Sequence, residues 1–68
     1  MTRVFPKVQL PIGYKFLAAE GDAEIIGDPI QRIEFGIVRH IWDYPCRVKV
    51  NGRRRRAIYV FNNEGRSV

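Results

Sequence analysis

One cysteine, one histidine, one methionine and one tryptophan are all that these 68 residues hold of those types. A single Cys excludes an internal disulfide. One Cys with one His cannot furnish the four protein ligands of a structural zinc site within one chain. Acidic residues are also scarce: seven Asp and Glu against twelve Lys and Arg leave a formal charge of +5. No apolar run approaches the ~20 residues of a membrane-spanning helix, and the opening MTRVFPKVQLP lacks the long apolar core of a signal peptide. There is no internal repeat, no low-complexity linker and no composition shift that would mark a domain boundary. Catalytic constellations are missing too. No nucleophile has a base and an orienting group, no Gly-rich phosphate loop precedes a Lys, and no carboxylate pair is tied to a pocket. Glu20, Asp22, Glu24 and Asp28 lie close in sequence, but their spacing matches no EF-hand loop; they are expected to balance some Arg charge or form a small acidic patch opposite the basic tip. The expectation is a single domain over 1–68: basic, soluble, cytoplasmic, non-enzymatic and without a cofactor or metal. At this length only roughly 60% of the unfolded chain's surface is buried on folding, so stability should be marginal.

What is present reads mainly as β structure. Val4, Pro6, Val8 and Leu10 alternate loosely, and the prolines among them suggest an extended arm or edge strand over 1–12. Tyr14 to Ala18 reads as a strand, Glu20-Gly21-Asp22 as a turn, and Ala23 to Ile26 as a second strand. The segment from Asp28 to Tyr44 supports two assignments. Asp28, Pro29 and Gln31 form a helix-start pattern, and Ile30, Ile33, Ile37, Ile41 and Tyr44 share one helical stripe. Its residue types favour strand, being rich in Ile, Val and aromatics, with Gly36 at the centre and no Ala or Leu. As a strand, a bend at Gly36-Ile37 would bring Val38 into the core. Further on, Cys46 to Val50 alternates, Asn51-Gly52 is the strongest two-residue hairpin signal, and Arg53 to Phe61 runs back. Both faces of Ala57 to Phe61 are apolar, which predicts deep burial there. Residues 62–68 read as a polar tail. The expected fold is mainly β, a small SH3-like barrel or an antiparallel meander with a C-terminal Asn-Gly hairpin. The alternative is α+β, ββαββ, with a helix at about 29–44.

One order of short motifs resembles a known pattern. Gly27-Asp28, Phe35-Gly36-Ile37-Val38, Ile41, then Arg47-Val48-Lys49-Val50, Asn51-Gly52-Arg53 and Ala57-Ile58-Tyr59-Val60-Phe61 follow one another. This order resembles SH3-like barrels of the Tudor/KOW kind over roughly Gly27 to Asn62. Pro29 departs from the strand residue usual after Gly-Asp. The resemblance implies a binding module, with partners ranging from nucleic acid to protein tails.

The candidate site is the basic hairpin. A two-residue turn sets Val50 opposite Arg53, Lys49 opposite Arg54, Val48 opposite Arg55 and Arg47 opposite Arg56. Arg47, Lys49, Arg54 and Arg56 then share one face, with Arg53 and Arg55 beside the turn. Like charges directly opposite destabilise a hairpin by a fraction of a kcal/mol per pair. Lone cations often just protect an exposed edge. Six together, five of them Arg with its bidentate guanidinium, point instead to an anionic partner. Trp42 and Tyr44 are candidates for stacking on a base, the competing assignment being that they close the core. Cys46, on the Val48 face, is expected to be an inert buried thiol, and His40 a surface histidine. Two functions follow. The first is nucleic-acid backbone binding, to DNA or RNA, with little sequence specificity. The second is a protein-binding adaptor or inhibitor docking on an acidic protein surface, by analogy with phage and plasmid accessory factors that block a host complex. A structural subunit that self-assembles through its aromatics is a third.

Overall fold

The computed structural model describes residues 6–68, so the first five residues of the expected N-terminal arm lie outside the described part. Five antiparallel strands form one sheet: β1 (Lys15–Ala18), β2 (Gly21–Ile25), β3 (Ile30–Glu34), β4 (Ile37–Val50) and β5 (Arg53–Asn62). No helix occurs among the described residues. The helical alternative at 29–44 is therefore replaced by strands β3 and β4, as the β-branched and aromatic residue types favour. Pro29 is buried immediately before β3, at a position where a missing N–H interrupts no ladder.

Strand β4 organises the sheet. It is 14 residues long, about 43 Å if straight at ~3.3 Å per residue. The molecule's longest dimension is 39 Å, so β4 runs from end to end with a bend. Residues 41–50 pair with β5 along one edge. The other edge is shared: β3 pairs with its first half and β2 with Cys46, Arg47 and Val48. Pro45 sits between these two partners, where a central strand would not ordinarily admit proline. Its carbonyl accepts a hydrogen bond from the Ile26 N–H at 2.9 Å, across the β2–β3 connector. N–H and C=O of one strand residue point the same way, so the missing N–H faces the connector and costs the β5 ladder nothing.

The inner face of this sheet carries Ile25, Trp42, Tyr44, Cys46, Val48 and Phe61, all buried. The chain from Pro6 to Leu10 crosses it as an arm, not as an edge strand. Leu10 is buried in the core, and its N–H donates to the Tyr44 hydroxyl at 3.3 Å. The sheet curls without closing into a barrel: β1, β3 and β5 are its edge strands, and β1 and β5 share no backbone ladder. Side chains close the seam instead. Phe16 of β1 meets Phe61 and Tyr59 of β5 edge-to-face, with centroids 5.2 and 5.5 Å apart, and Tyr44 meets Phe61 at 5.2 Å. Such contacts contribute about 0.5–1.5 kcal/mol each beyond area burial. The Tyr59 hydroxyl donates to the Glu20 carboxylate across the same seam.

Three sequence expectations need correction. Ile58 is 69% exposed, so only one face of Ala57 to Phe61 is buried, because nothing packs on the outer face of β5. Val38 lies 52% exposed and outside the core. Its expected bend is instead a two-residue hairpin turn, Phe35-Gly36, with φ of 50° and 74°, the positive values of a type I′ turn. The polar tail turns back, with Ser67 bridging Phe61 and the Asn62 side-chain oxygen accepting from the N–H groups of Glu64 and Arg66.

Two measurements test the seam. A Cβ on Gly21, whose φ is 150°, would sit 2.2 Å from the Lys49 carbonyl oxygen. Gly21→Ala is expected to cost about 2 kcal/mol in a urea titration, and an unchanged midpoint contradicts this close approach. The Tyr59 bond holds the Glu20 carboxyl below its usual range, while that bond and burial push the Tyr59 phenol up to about 12. Glu20 thus adds stability above its unfolded-state pKa, lost as pH falls through its lower folded value. Tyr59 adds stability below its unfolded-state pKa, lost as pH rises from there through about 12. Followed by ring-carbon NMR, the Tyr59 titration should return toward the ordinary value of ~10 in Glu20→Gln.

Candidate functional site

The basic residues occupy one end of the molecule. Between Cys46 and Ala57 the chain holds Arg47, Lys49, Arg53, Arg54, Arg55 and Arg56 and no acid. Asn51 and Gly52 take φ of 50° and 78°, so the Asn-Gly turn has the twist that a two-residue hairpin requires. The register is Val50–Arg53, Lys49–Arg54, Val48–Arg55 and Arg47–Arg56, as the sequence predicts. Arg47, Lys49, Arg54 and Arg56 therefore share the outer face, and Arg53 and Arg55 lie on the inner face beyond the core. All six are exposed. The hairpin base is held by Cys46 and Val48, both fully buried, so the charged tip stands on a fixed support.

Across the outer face the register builds a row of charges. Lys15 lies opposite Glu24, Glu24 opposite Arg47, and Arg47 opposite Arg56. Continuing the Ala23–Val48 register by one residue puts Asp22 beside Lys49, whose other neighbour is Arg54. The sequence alone suggested cation pairs with no carboxylate near them. The structure instead sets Asp22 and Glu24 on β2 next to them, because β2 shares the outer face of β4. Lys15, Asp22, Glu24, Arg47, Lys49 and Arg54 line an open groove of about 460 Å³. Its charged, solvated walls differ from the enclosed apolar cleft that usually takes a small molecule.

Proximity here does not amount to neutralisation. Among the described residues no carboxylate oxygen lies within 4.0 Å of a basic nitrogen of the hairpin. Arg32 behaves differently. Its guanidinium donates to Asp43 at 2.6 and 3.5 Å and lies 3.7 Å from Glu34, which fixes it to the β3–β4 face. That pairing takes Arg32 out of consideration for an outside partner.

The aromatic candidates do not join the site. Trp42 and Tyr44 are 1% and 0% exposed. Neither ring has a free face to offer a base, because both lie on the inner face beneath the N-terminal arm. Trp42 Nε1 is buried with no hydrogen-bond partner among the described residues, so this side chain acts through apolar area. Lys15, Asp22 and Glu24 complete the groove; the sequence singled out Asp22 and Glu24 only as acids that balance Arg charge or form a patch opposite the tip, and Lys15 not at all. Only the β2–β4 pairing brings them to it, and no local pattern announces a pairing between segments so far apart. His40 is exposed, and among the described residues no cluster of His, Cys, Asp or Glu could hold a metal ion. Nor does any described helix have the length and apolarity to cross a membrane.

No protein-family model, no curated protein and no solved structure matches the chain.

Cys46 is fully buried and its thiol donates to the Tyr44 carbonyl at 3.3 Å, with burial pushing its pKa up. Maleimide labelling of native protein should therefore be slow and become fast only on unfolding. Rapid labelling under native conditions would contradict the packing beneath the hairpin.

Proposed function

We propose that the protein is a small non-enzymatic binding module whose basic hairpin holds the backbone of a nucleic acid, with little sequence specificity. The observation that carries this is six exposed cations on a fixed hairpin with no carboxylate in contact. In a small domain, like-charge pairs that no carboxylate contacts lower stability. Their retention is explained by negative charge arriving from outside. Phosphates suit the arrangement because neighbouring guanidiniums on a strand face can engage successive phosphate oxygens by charge-assisted bonds. No helix among the described residues offers a base-reading surface, which favours backbone contacts over base contacts. The Tudor/KOW-like order of motifs supports a binding module in general. An acidic protein surface is the competing partner, and direct tests of duplex and RNA binding at low salt separate the two.

Arg47, Lys49, Arg54 and Arg56 form the outer contact set, and about four phosphates neutralised on duplex DNA give a log–log salt slope near −3.6. Affinity for a mixed-sequence duplex should accordingly fall on the order of 10²-fold between 50 and 200 mM salt. The double substitution Arg54→Glu with Arg56→Glu should abolish binding while leaving the far-ultraviolet spectrum unchanged. Absence of duplex and RNA binding at 50 mM salt would transfer the hairpin to a protein partner.

A further inference from the structure

The end of the molecule opposite the basic hairpin is apolar, and no surface of the monomer accounts for it. The β3–β4 hairpin projects there with Ile30, Ile33, Ile37 and Val38 each more than half exposed and Phe35 99% exposed at the tip. Ile33 and Val38 lie on one face, Ile30 and Ile37 on the other. Divided between the two faces and the tip, they present on the order of 500 Å² of apolar side chain. That is close to one partner's share of a small specific interface. Phe35 is doubly out of place. A bulky residue at φ 50° is conformationally disfavoured, and in water its ring contributes nothing to the fold.

An open strand edge adjoins this patch. The β4–β5 ladder stops at Ile41–Asn62, and among the described residues nothing pairs with 37–40 on the β5 side. Ile37, next to the two-residue turn, directs its N–H and C=O to β3, so those of Val38 face outward. Edges are normally protected by bulges, prolines or lysines. The outer edge of β3 has such protection, with Pro29 before it. Where the β3–β4 register shifts, three β4 residues (39–41) face one β3 residue (32), so the bulge lies on β4, whose residues 37–40 hold no proline or lysine.

Charge selects the occupant. Over 30–43 the two cations, Arg32 and Arg39, are matched by Glu34 and Asp43, so this pole is neutral in a chain of charge +5. An anionic membrane would be met by cations around the apolar tip, and these sit at the far end. A second copy, by contrast, can approach the neutral pole while the basic hairpins point apart. We infer that the β3–β4 hairpin is a self-association surface, through which two copies pair antiparallel along the open 37–40 edges about a two-fold axis. Side-chain alternation allows only registers centred on Val38 or on Arg39. Centring on Arg39 stacks two like charges, so Val38 faces Val38, with the two residues exchanging both backbone bonds.

Sedimentation velocity on the full chain tests this, with thermal unfolding of the same samples. Wild type should show a concentration-dependent monomer–dimer equilibrium. Phe35→Asn creates the Asn-Gly turn that this geometry favours. It should keep or raise the unfolding midpoint while weakening dimerisation about 100-fold, the loss expected when two Phe rings are no longer buried. Val38→Lys places two ammonium groups together at the two-fold axis and should give monomer with the fold intact. Arg54→Glu with Arg56→Glu should leave the dimer unaffected, which separates this interface from the nucleic-acid proposal. A wild type that stays monomeric to ~0.5 mM would overturn the inference, as would a dimer persisting in both Phe35→Asn and Val38→Lys. Monomer that sediments with phosphatidylserine vesicles in a Phe35-dependent way would assign the tip to membrane instead.

Discussion

Strand β4 can carry two hairpins because its two edges are used differently. One is filled by β5 along residues 41–50, while the other is divided between β3 and β2. The division falls at Pro45, whose carbonyl takes the Ile26 N–H and whose missing donor faces the connector. From this one strand follow the curl of the sheet, the meeting of Phe16 with Phe61 and Tyr59, and the position of both turns. Phe35-Gly36 and Asn51-Gly52 lie at opposite ends of a single element.

The result is a polarised molecule with little mass between its ends. Cations without contacting carboxylates gather at one turn, and apolar side chains without a covering partner gather at the other. One end lowers the stability of an isolated chain through like-charge repulsion, and the other adds nothing to it because its apolar side chains stay in water. The middle offsets this with a compact aromatic core, in which Tyr44, Phe61, Phe16 and Tyr59 touch in series. A domain this short has few kcal/mol to spare, which is why the two proposals place a partner at each end. Recruitment of nucleic acid at the basic pole and pairing of copies at the neutral one would hold two stretches of nucleic acid apart in one assembly.

The C-terminal half was legible because its signals are local. Asn51-Gly52 dictates the turn, the turn dictates the register, and period-2 alternation then assigns Val48 to the core and Arg54 to solvent. Strand content in 28–44 was likewise carried by residue type, Ile, Val and Trp outweighing a capped helix start. Legibility ended where tertiary pairing decides. The Phe35-Gly36 turn was hidden because Phe is a poor turn residue, and what admits it is a strand pair on either side. Apolar faces on both sides of Ala57 to Phe61 suggested deep burial, but the sheet has a single covered face and leaves Ile58 in water. Trp42 and Tyr44 were ambiguous between stacking and core until the arm over the inner face was seen. Half of the basic site was readable from the hairpin. The other half, Lys15, Asp22 and Glu24, depended on β1 and β2 pairing across the sheet.

The central claim is that the hairpin guanidiniums remain uncommitted in the monomer so that they can meet phosphate. Arginine Nε–H resonances observed by NMR during titration with a short mixed-sequence duplex at low salt address it most directly. The expected result is that Arg47, Arg53, Arg54, Arg55 and Arg56 shift together and slow their exchange with water, while Arg32, held by Asp43, stays still. Duplex that binds while these five remain unchanged would contradict the account.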